Sequence, residues 1–245
     1  MLSVEAKKLI EELAQVSLKG PIKAVGHGAT SVGMTLLKEM GIDYQSTRKP
    51  TKYGIVVSAR RGSRSFDPHR VNLFAAVPDW DISPLKSSAQ ILNKYGYLRS
   101  GEKKLYCSVR AGQPNPQGLV LRHNRVEDSL EEWAVVEGRE EHVASWRMER
   151  LKARLSASHP ETIWVSASSS TLGGVEYFHY RHASHSSAAR VELLPELICE
   201  GTITLDHLIS KKNGRVTEKG PLFKIRPRNI PLLFPGNSFF DLLSM

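Results

Sequence analysis

Along the 245-residue chain, apolar positions gather into short segments whose spacing changes from helical to alternating and back. Leu2, Leu9, Ile10, Leu13 and Val16 recur on one face and predict a first helix over about 3–17. "SLKGPIKAVGHGATSVG" then reads as a glycine-rich loop, after which Thr30 or Ser31 caps a second helix that runs to about Met40 and stops at Gly41. In "TKYGIVVSARRGSR" (51–64) the apolar run Ile55, Val56, Val57 leads straight into Arg60, Arg61 and Arg64, a strand that ends in a cluster of cations. "HRVNLFAAVP" (69–78) reads as its partner, and Pro84 opens a third helix to about Tyr95.

Three strand candidates follow, "KLYCSVRAG", "QGLVLRHNR" and "EEWAVVEG", separated by turn residues that favour antiparallel pairing. "EHVASWRMERLKARL" (141–155) sets Val143, Trp146, Leu151 and Leu155 on roughly one face and predicts a helix. "TIWVSASSS" and "VEYFHYRHAS" are two more strands, the second alternating at period two. "AARVELLPELICEG" reads as a helix that contains a proline and is closed by Gly201. A basic stretch, "SKKNGRVTEKGPLFKIRPRN", comes next. Without an internal repeat or a composition change that marks a linker, the pattern predicts one mixed α/β domain over 1–245.

Composition narrows the class. With 40% hydrophobic and 24% charged residues the chain is globular, and no run approaches the roughly 18 apolar residues of a membrane span. The first segment mixes Lys and Glu through its apolar positions, the mark of a surface helix rather than a signal peptide, so the expected location is the cytoplasm, away from membranes. Lys and Arg number 34 against 25 Asp and Glu, a net charge of +9 that favours a polyanionic partner through counterion release. Cys107 and Cys199 match no metal or disulfide spacing and are expected to be reduced core residues.

Two stretches carry a more specific signal. "GATSVGMTLLKEMGI" with "YGIVVSARRGSRSFDPHRVNLFAAVP", and "YFHYRHASHSSAARVELLPELICEGTITLDHLISKKNGRVTEKGPLFKIRPRNIPLLF", together resemble the MvaI/BcnI type of restriction endonuclease, relatives of the mismatch-repair nicking enzyme MutH. Gly28, Thr30 and Gly33 match that family's glycine loop with one residue moved; Ile198-Cys199-Glu200-Gly201 matches its helix end, and Gly220, Phe223 and Ile225 its closing strand. The resemblance implies a restriction-endonuclease-like mixed sheet flanked by helices, acting on duplex DNA with magnesium, in a monomeric chain. The part up to about 160 would carry the catalytic-type strand, and about 175–228 the recognition-type part.

The family's catalytic strand reads Asp, four residues, Glu, one residue, Lys, because two carboxylates hold a hard cation and a lysine orients water. Laid on this chain, those positions are Thr51, Val56 and Ser58, and 44–66 contains no Asp or Glu at all. The superfamily's supporting helix glutamate falls near Leu37. Asp43, Asp67 and Glu39 flank the window as loop or solvated helix residues. Asp79 and Asp81, spaced i and i+2, are the nearest paired carboxylates: either a polar turn in which Asp79 or Ser83 caps the next helix, or a relocated cation site. Magnesium is therefore expected only if cleavage survives.

The remaining candidates are cations. Arg60, Arg61 and Arg64 are placed to meet backbone phosphate, as are Lys211, Lys212 and Arg215. In the resembled family the C-terminal hairpin reads base edges; the matching positions here are Thr217, Lys219 and Lys224, with Arg226 and Arg228 beside them. His179, His182 and His185 recur every three residues, but on a strand 179 and 182 point to opposite faces, which argues against a metal site. Ser166 and Ser168–170 have no nucleophile elbow around them. His27 sits in the glycine loop. Three functions stay open: a duplex-DNA reader of a sequence or modification that does not cut, an active magnesium-dependent endonuclease with relocated carboxylates, and a structural or partner protein that binds RNA or another polyanion.

Overall fold

The computed structural model describes residues 2–43, 51–62, 70–212, 214–234 and 238–245. Helix α1 (Val4–Leu18) is capped by the Ser3 hydroxyl, which accepts the Ala6 amide, and buries Leu9, Ile10 and Leu13 as its spacing predicts. A short strand β1 (Ile22–Lys23) and helix α2 (Ser31–Glu39) follow. Strand β2 (Val56–Arg61) is the arginine-ended segment, and β3 is Val71–Ala75. Helix α3 (Ser88–Tyr95) starts later than Pro84 because Ser87 is the residue whose side chain accepts an amide, that of Gln90. Strands β4 (Tyr97–Arg99), β5 (Glu102–Val109), β6 (Leu119–Asn124), β7 (Ser129–Val136) and β8 (Arg139–Arg147) come in succession.

The expected helix over 141–155 is half strand. Residues up to Arg147 pair with β7, so that Val143, Ala144, Ser145 and Trp146 are all buried, and α4 (Met148–Ser158) begins only where the Met148 amide reaches Asp128 O. The helical spacing of Val143, Trp146 and Leu151 is a coincidence across this junction. Strands β9 (Thr162–Leu172) and β10 (Val175–Ser186) form a long hairpin through Gly173 and Gly174, both at positive φ. A 3-10 turn leads into α5 (Leu194–Cys199), with Pro195 in its first turn, where its missing N–H costs nothing, and Gly201 at φ +70° ends the segment. Strands β11 (Ile203–Lys212), β12 (Arg215–Glu218) and β13 (Leu222–Ile225), helix α6 (Ile230–Leu233) and strand β14 (Ser238–Asp241) complete the described order.

These elements gather into two compact units, each built from separated stretches of chain. The first comprises 1–68, 157–189 and 234–245 and holds a sheet ordered β1-β10-β9-β2, with β14 on β10. β2 lies parallel to β9, and α1 and α2 cover one face with a core that includes Leu9, Leu36, Ile163 and Phe178. The second comprises 69–156 and 190–233 and holds β3-β13-β11-β5-β4 with β12 on β11, together with the meander β6-β7-β8. β3 is therefore not the partner of β2. It pairs with β13, where Phe74 stacks on Phe223 at 4.7 Å and the edge of Trp146 meets Phe223. The mixed α/β class and the helix-flanked sheets agree with the expectation. Among the described residues no helix is long and apolar enough to cross a membrane.

Candidate nucleic-acid interface

The strand that should carry catalysis is set up by a tight hairpin. Tyr53 and Gly54 both have positive φ, 54° and 79°, while Lys52 and Ile55 exchange backbone hydrogen bonds, the geometry of a type I′ turn. Thr51 thereby lies beside β2, and its hydroxyl accepts the Val57 amide at 3.0 Å. Val56 is buried at 7% exposure and Ser58 is half-buried. The three positions thus supply a hydroxyl already used by the backbone, an aliphatic side chain and a second hydroxyl. This donor set does not fit magnesium, which takes carboxylate oxygens, and no cluster of three His, Cys, Asp or Glu among the described residues could hold a metal.

The two faces of β2 have different fates. Ile55, Val57 and Ala59 face the helices, and Arg61 at the end of that row turns back into the protein. Its Nε and Nη2 both donate to Glu176 at 2.8 Å, Nη2 also reaches Gly28 O and the Ser31 hydroxyl, and the guanidinium lies over the Phe178 ring. The hydrogen bonds from Arg61 hold the Glu176 carboxyl below its usual range. Arg60 lies in the other row. In register across the sheet stand Arg60, Ser166, His182 and Asp241, and these four, with Gly62, Phe239 and Phe240, line an open pocket of about 520 Å³. Arg64 lies outside the described residues, as does Asp67.

In the second unit, β11 is clasped by β5, β12 and β13. Asp206, 9% exposed at its side chain, accepts from Lys224 and Arg70 and from the Ser108 hydroxyl at 2.8 Å. Burial pushes its carboxyl upward, but the hydrogen bonds from Lys224 and Ser108 and the nearby cations outweigh that and hold it below the ordinary range. Beside it opens a pocket of about 540 Å³ to which Arg70, Arg110, Arg226 and Arg228 all contribute, with Asn115 and Glu200 among its other walls. Lys211, Lys212 and Arg215 are exposed around the β11–β12 turn, Lys212 lying 3.7 Å from Glu102. Lys219 is exposed as well, and the Thr217 hydroxyl bonds Ser210. Nothing in the sequence singles out Asp206, because a lone acid inside an alternating strand carries no signal until the fold brings Arg70 and Lys224 to it.

Asp79 and Asp81 form a turn in the second unit. Asp79 accepts the Arg147 amide at 2.8 Å and a hydrogen bond from the Arg150 guanidinium; Asp81 pairs with Arg147 at 2.6 Å, and that hydrogen bond holds its carboxyl low. The turn agrees with the expectation, yet neither Asp79 nor Ser83 caps α3; Ser83 bonds Asp79 O and Ser145 instead. Glu39 pairs with Lys19, Asp43 is exposed, and His27 is exposed in the glycine loop. The histidines also differ from expectation. A bulge between Tyr180 and His182 sets His179 opposite Ser168 and His182 opposite Ser166, so the two share a face. They do not converge: His179 bonds Ser17 O, His185 bonds Glu161 at 2.7 Å, and only His182 lines the pocket. Ser166 and Ser168–170 belong to β9.

The model of the MvaI/BcnI restriction endonuclease family matches residues 10–234. No curated protein sequence matches the chain. Among solved structures, the complex of restriction endonuclease MvaI with its cognate DNA substrate is similar with a TM-score of 0.83 at 16% identity, covering 99% of this chain and 100% of that one. MvaI in the absence of DNA is similar with a TM-score of 0.60, also at 16% identity, covering 98% of each chain.

Proposed function

The chain belongs to the MvaI/BcnI restriction endonuclease family, and from that premise we propose that it binds duplex DNA, reading a sequence or a modification, without cutting it. One observation carries the reading: the positions at which the family bears its acids and lysine hold Thr51, Val56 and Ser58, and their side chains are respectively hydrogen-bonded to backbone, buried and neutral. Removing two carboxylates from a groove that meets phosphate leaves it more positive, and the net charge of +9 agrees with that. Arg60 supplies a cation on the open sheet face, Lys211, Lys212 and Arg215 supply phosphate contacts, and Lys219, Lys224 and Arg226 supply donors for base edges.

The rival reading, a nuclease with carboxylates relocated to Asp79 and Asp81, is disfavoured because their oxygens already face Arg147 and Arg150. The deciding experiment incubates the purified protein with mixed-sequence plasmid in magnesium, in manganese and in EDTA. Products are scored after deproteinising, beside an untreated mobility-shift gel. A shift without strand breaks in every condition is expected. Discrete cleavage that EDTA stops and Asp79→Ala abolishes would overturn the proposal, and preference for single-stranded RNA would move it to another polyanion.

A further inference from the structure

The pocket on the open face of β2, β9, β10 and β14 contains a combination that phosphate contact alone does not call for. Strand β14 alternates as a half-buried strand should: Phe240 and Leu242 pack toward the helical core, while Phe239 and Asp241 face the other way. Phe239 is left 79% exposed, an aromatic ring offered to solvent next to Arg60, His182 and Asp241. The Asp241 carboxylate is held in place by the Leu243 amide, which donates to Oδ1 at 3.1 Å. At about 520 Å³ the pocket falls within the roughly 300–1,000 Å³ of small-molecule sites.

We propose that this pocket takes one unpaired nucleotide, the base stacked on Phe239, its phosphate on Arg60 and its exocyclic amine donating to Asp241. Base–aromatic stacking is tolerant of sequence and is worth about 1–3 kcal/mol per base. A carboxylate accepts from the amino groups of adenine, cytosine or guanine and finds none on thymine. A base inside a duplex is covered on both faces by its neighbours, so the ring of Phe239 selects bases that have left the stack or never had a partner. A cation, an aromatic face and a carboxylate in one pocket describe a nucleotide better than a metal, which would need more than one acid, or an apolar peptide, which would offer no donor to Asp241.

The inference rests on the reading that this face meets DNA, and the test separates the two. Fluorescence anisotropy in EDTA would compare three 20-base-pair duplexes: fully paired, with one bulged adenine, and with one bulged thymine. The wild-type protein should prefer the bulged adenine over the paired duplex by about 5- to 150-fold, the effect of one stacked base. Phe239→Ala should bind the bulged and paired duplexes alike, at the wild-type affinity for the paired one; Phe239→Trp should keep the preference; Asp241→Ala, which removes the acceptor, should lower adenine to the level of thymine. Equal affinity of the wild type for all three duplexes, or a preference that survives Phe239→Ala, would overturn the inference and leave duplex binding standing. If no duplex is bound, the functional reading fails and the site is tried with a 5′-phosphorylated single-stranded tetranucleotide. Binding that Phe239→Ala removes would then support the pocket as a site for free single-stranded ends, and no binding would overturn it.

Discussion

Arg61 and Glu176 meet through two hydrogen bonds of 2.8 Å, and this fork ties the end of β2 to the start of β10 and, through Gly28 and Ser31, to the glycine loop. Arg60, one residue earlier, has its side chain on the opposite face of the sheet and lines the open pocket. Neighbouring arginines of one motif therefore divide between the face that packs on the helices and the face that lines the pocket.

That division can be measured. Both members of the fork are about one-third exposed, so solvent weakens the pair; charge-assisted bidentate geometry strengthens it. Arg61→Ala should cost about 1–2 kcal/mol in urea unfolding. DNA affinity should fall more with Arg60→Ala than with Arg61→Ala. A cost of Arg61→Ala below about 0.5 kcal/mol, the usual size of a surface change, would show that the fork contributes nothing distinctive.

A fully buried pair makes stability depend on pH. His207 and Glu132, both with fully buried side chains, are 2.9 Å apart. Among the described residues, His207 Nδ1 and Glu132 Oε2 are buried with no hydrogen-bond partner. Burial alone would lower the His207 pKa, but the charge and hydrogen bond of Glu132, with Glu218 and Asp206 beyond, raise it above the ordinary value. A raised histidine contributes stability that is complete below its unfolded pKa, about 6.5, and is lost as pH rises through the folded value. Burial raises Glu218 too, which also favours the protonated, lower-pH side. Urea midpoints should fall between pH 6 and pH 9, and His207→Gln should flatten that fall. His207→Ala, which leaves Glu132 buried without its partner, should cost about 3–5 kcal/mol at pH 6.

The two thiols should differ in reactivity. Cys107 lies on β5 with its thiol pushed up to about 12, chiefly by burial and then by the charge of Glu132, whereas Cys199 is exposed at the end of α5. Thiolate is the reactive form, so at pH 8 a disulfide reagent should titrate one group quickly in the native protein and two after denaturation. Two equal rates in the native protein would contradict the partial burial of Cys107. The expectation of two core cysteines thus fails for both: Cys107 is half-buried on β5, and the end of α5 leaves Cys199 in solvent.

The elements with strong local grammar were legible in the sequence. The first helix, Gly41 after α2 and Gly201 after α5 were readable because helical spacing and glycine stops are properties of a few adjacent residues. Pairing was less legible. β2 lies parallel to β9, whose first residue, Thr162, is far along the chain, and β3 finds β13 through Phe74 and Phe223; neither choice is encoded next to the strand concerned. The junction at Arg147 was hidden because buried residues on both sides mimic one helical stripe. At the site, the absence of acids around Thr51, Val56 and Ser58 was plain from the sequence, while the fates of Arg61 and Asp206 were not. Each depends on a partner from a distant strand, Glu176 for Arg61 and Lys224 for Asp206. The histidine parity failed for a smaller reason, a single inserted residue that no composition signals.

The C-terminal cations should separate by what they touch on DNA. Lys211, Lys212 and Arg215 are exposed on the β11–β12 hairpin, which suits phosphate, and removing one cation that neutralises a phosphate should reduce the slope of log K against log salt by about 0.9. Replacing all three with Ala should therefore lower the slope by roughly 2–3, with little change in preference among DNA sequences. Lys224 is held differently. Its ammonium lies 2.9 Å from Asp206 with 21% of the side chain exposed, an orientation fixed before any ligand arrives, as readout of a base edge requires. Lys224→Ala should lower the ratio of the best to the average sequence in a selection from random duplexes by about 5- to 150-fold, the effect of roughly 1–3 kcal/mol of discrimination, and should leave the salt slope nearly unchanged. A uniform weakening across all sequences, with a salt slope reduced by about 1, would instead assign Lys224 to phosphate and leave the reading of bases to Arg226 and its neighbours.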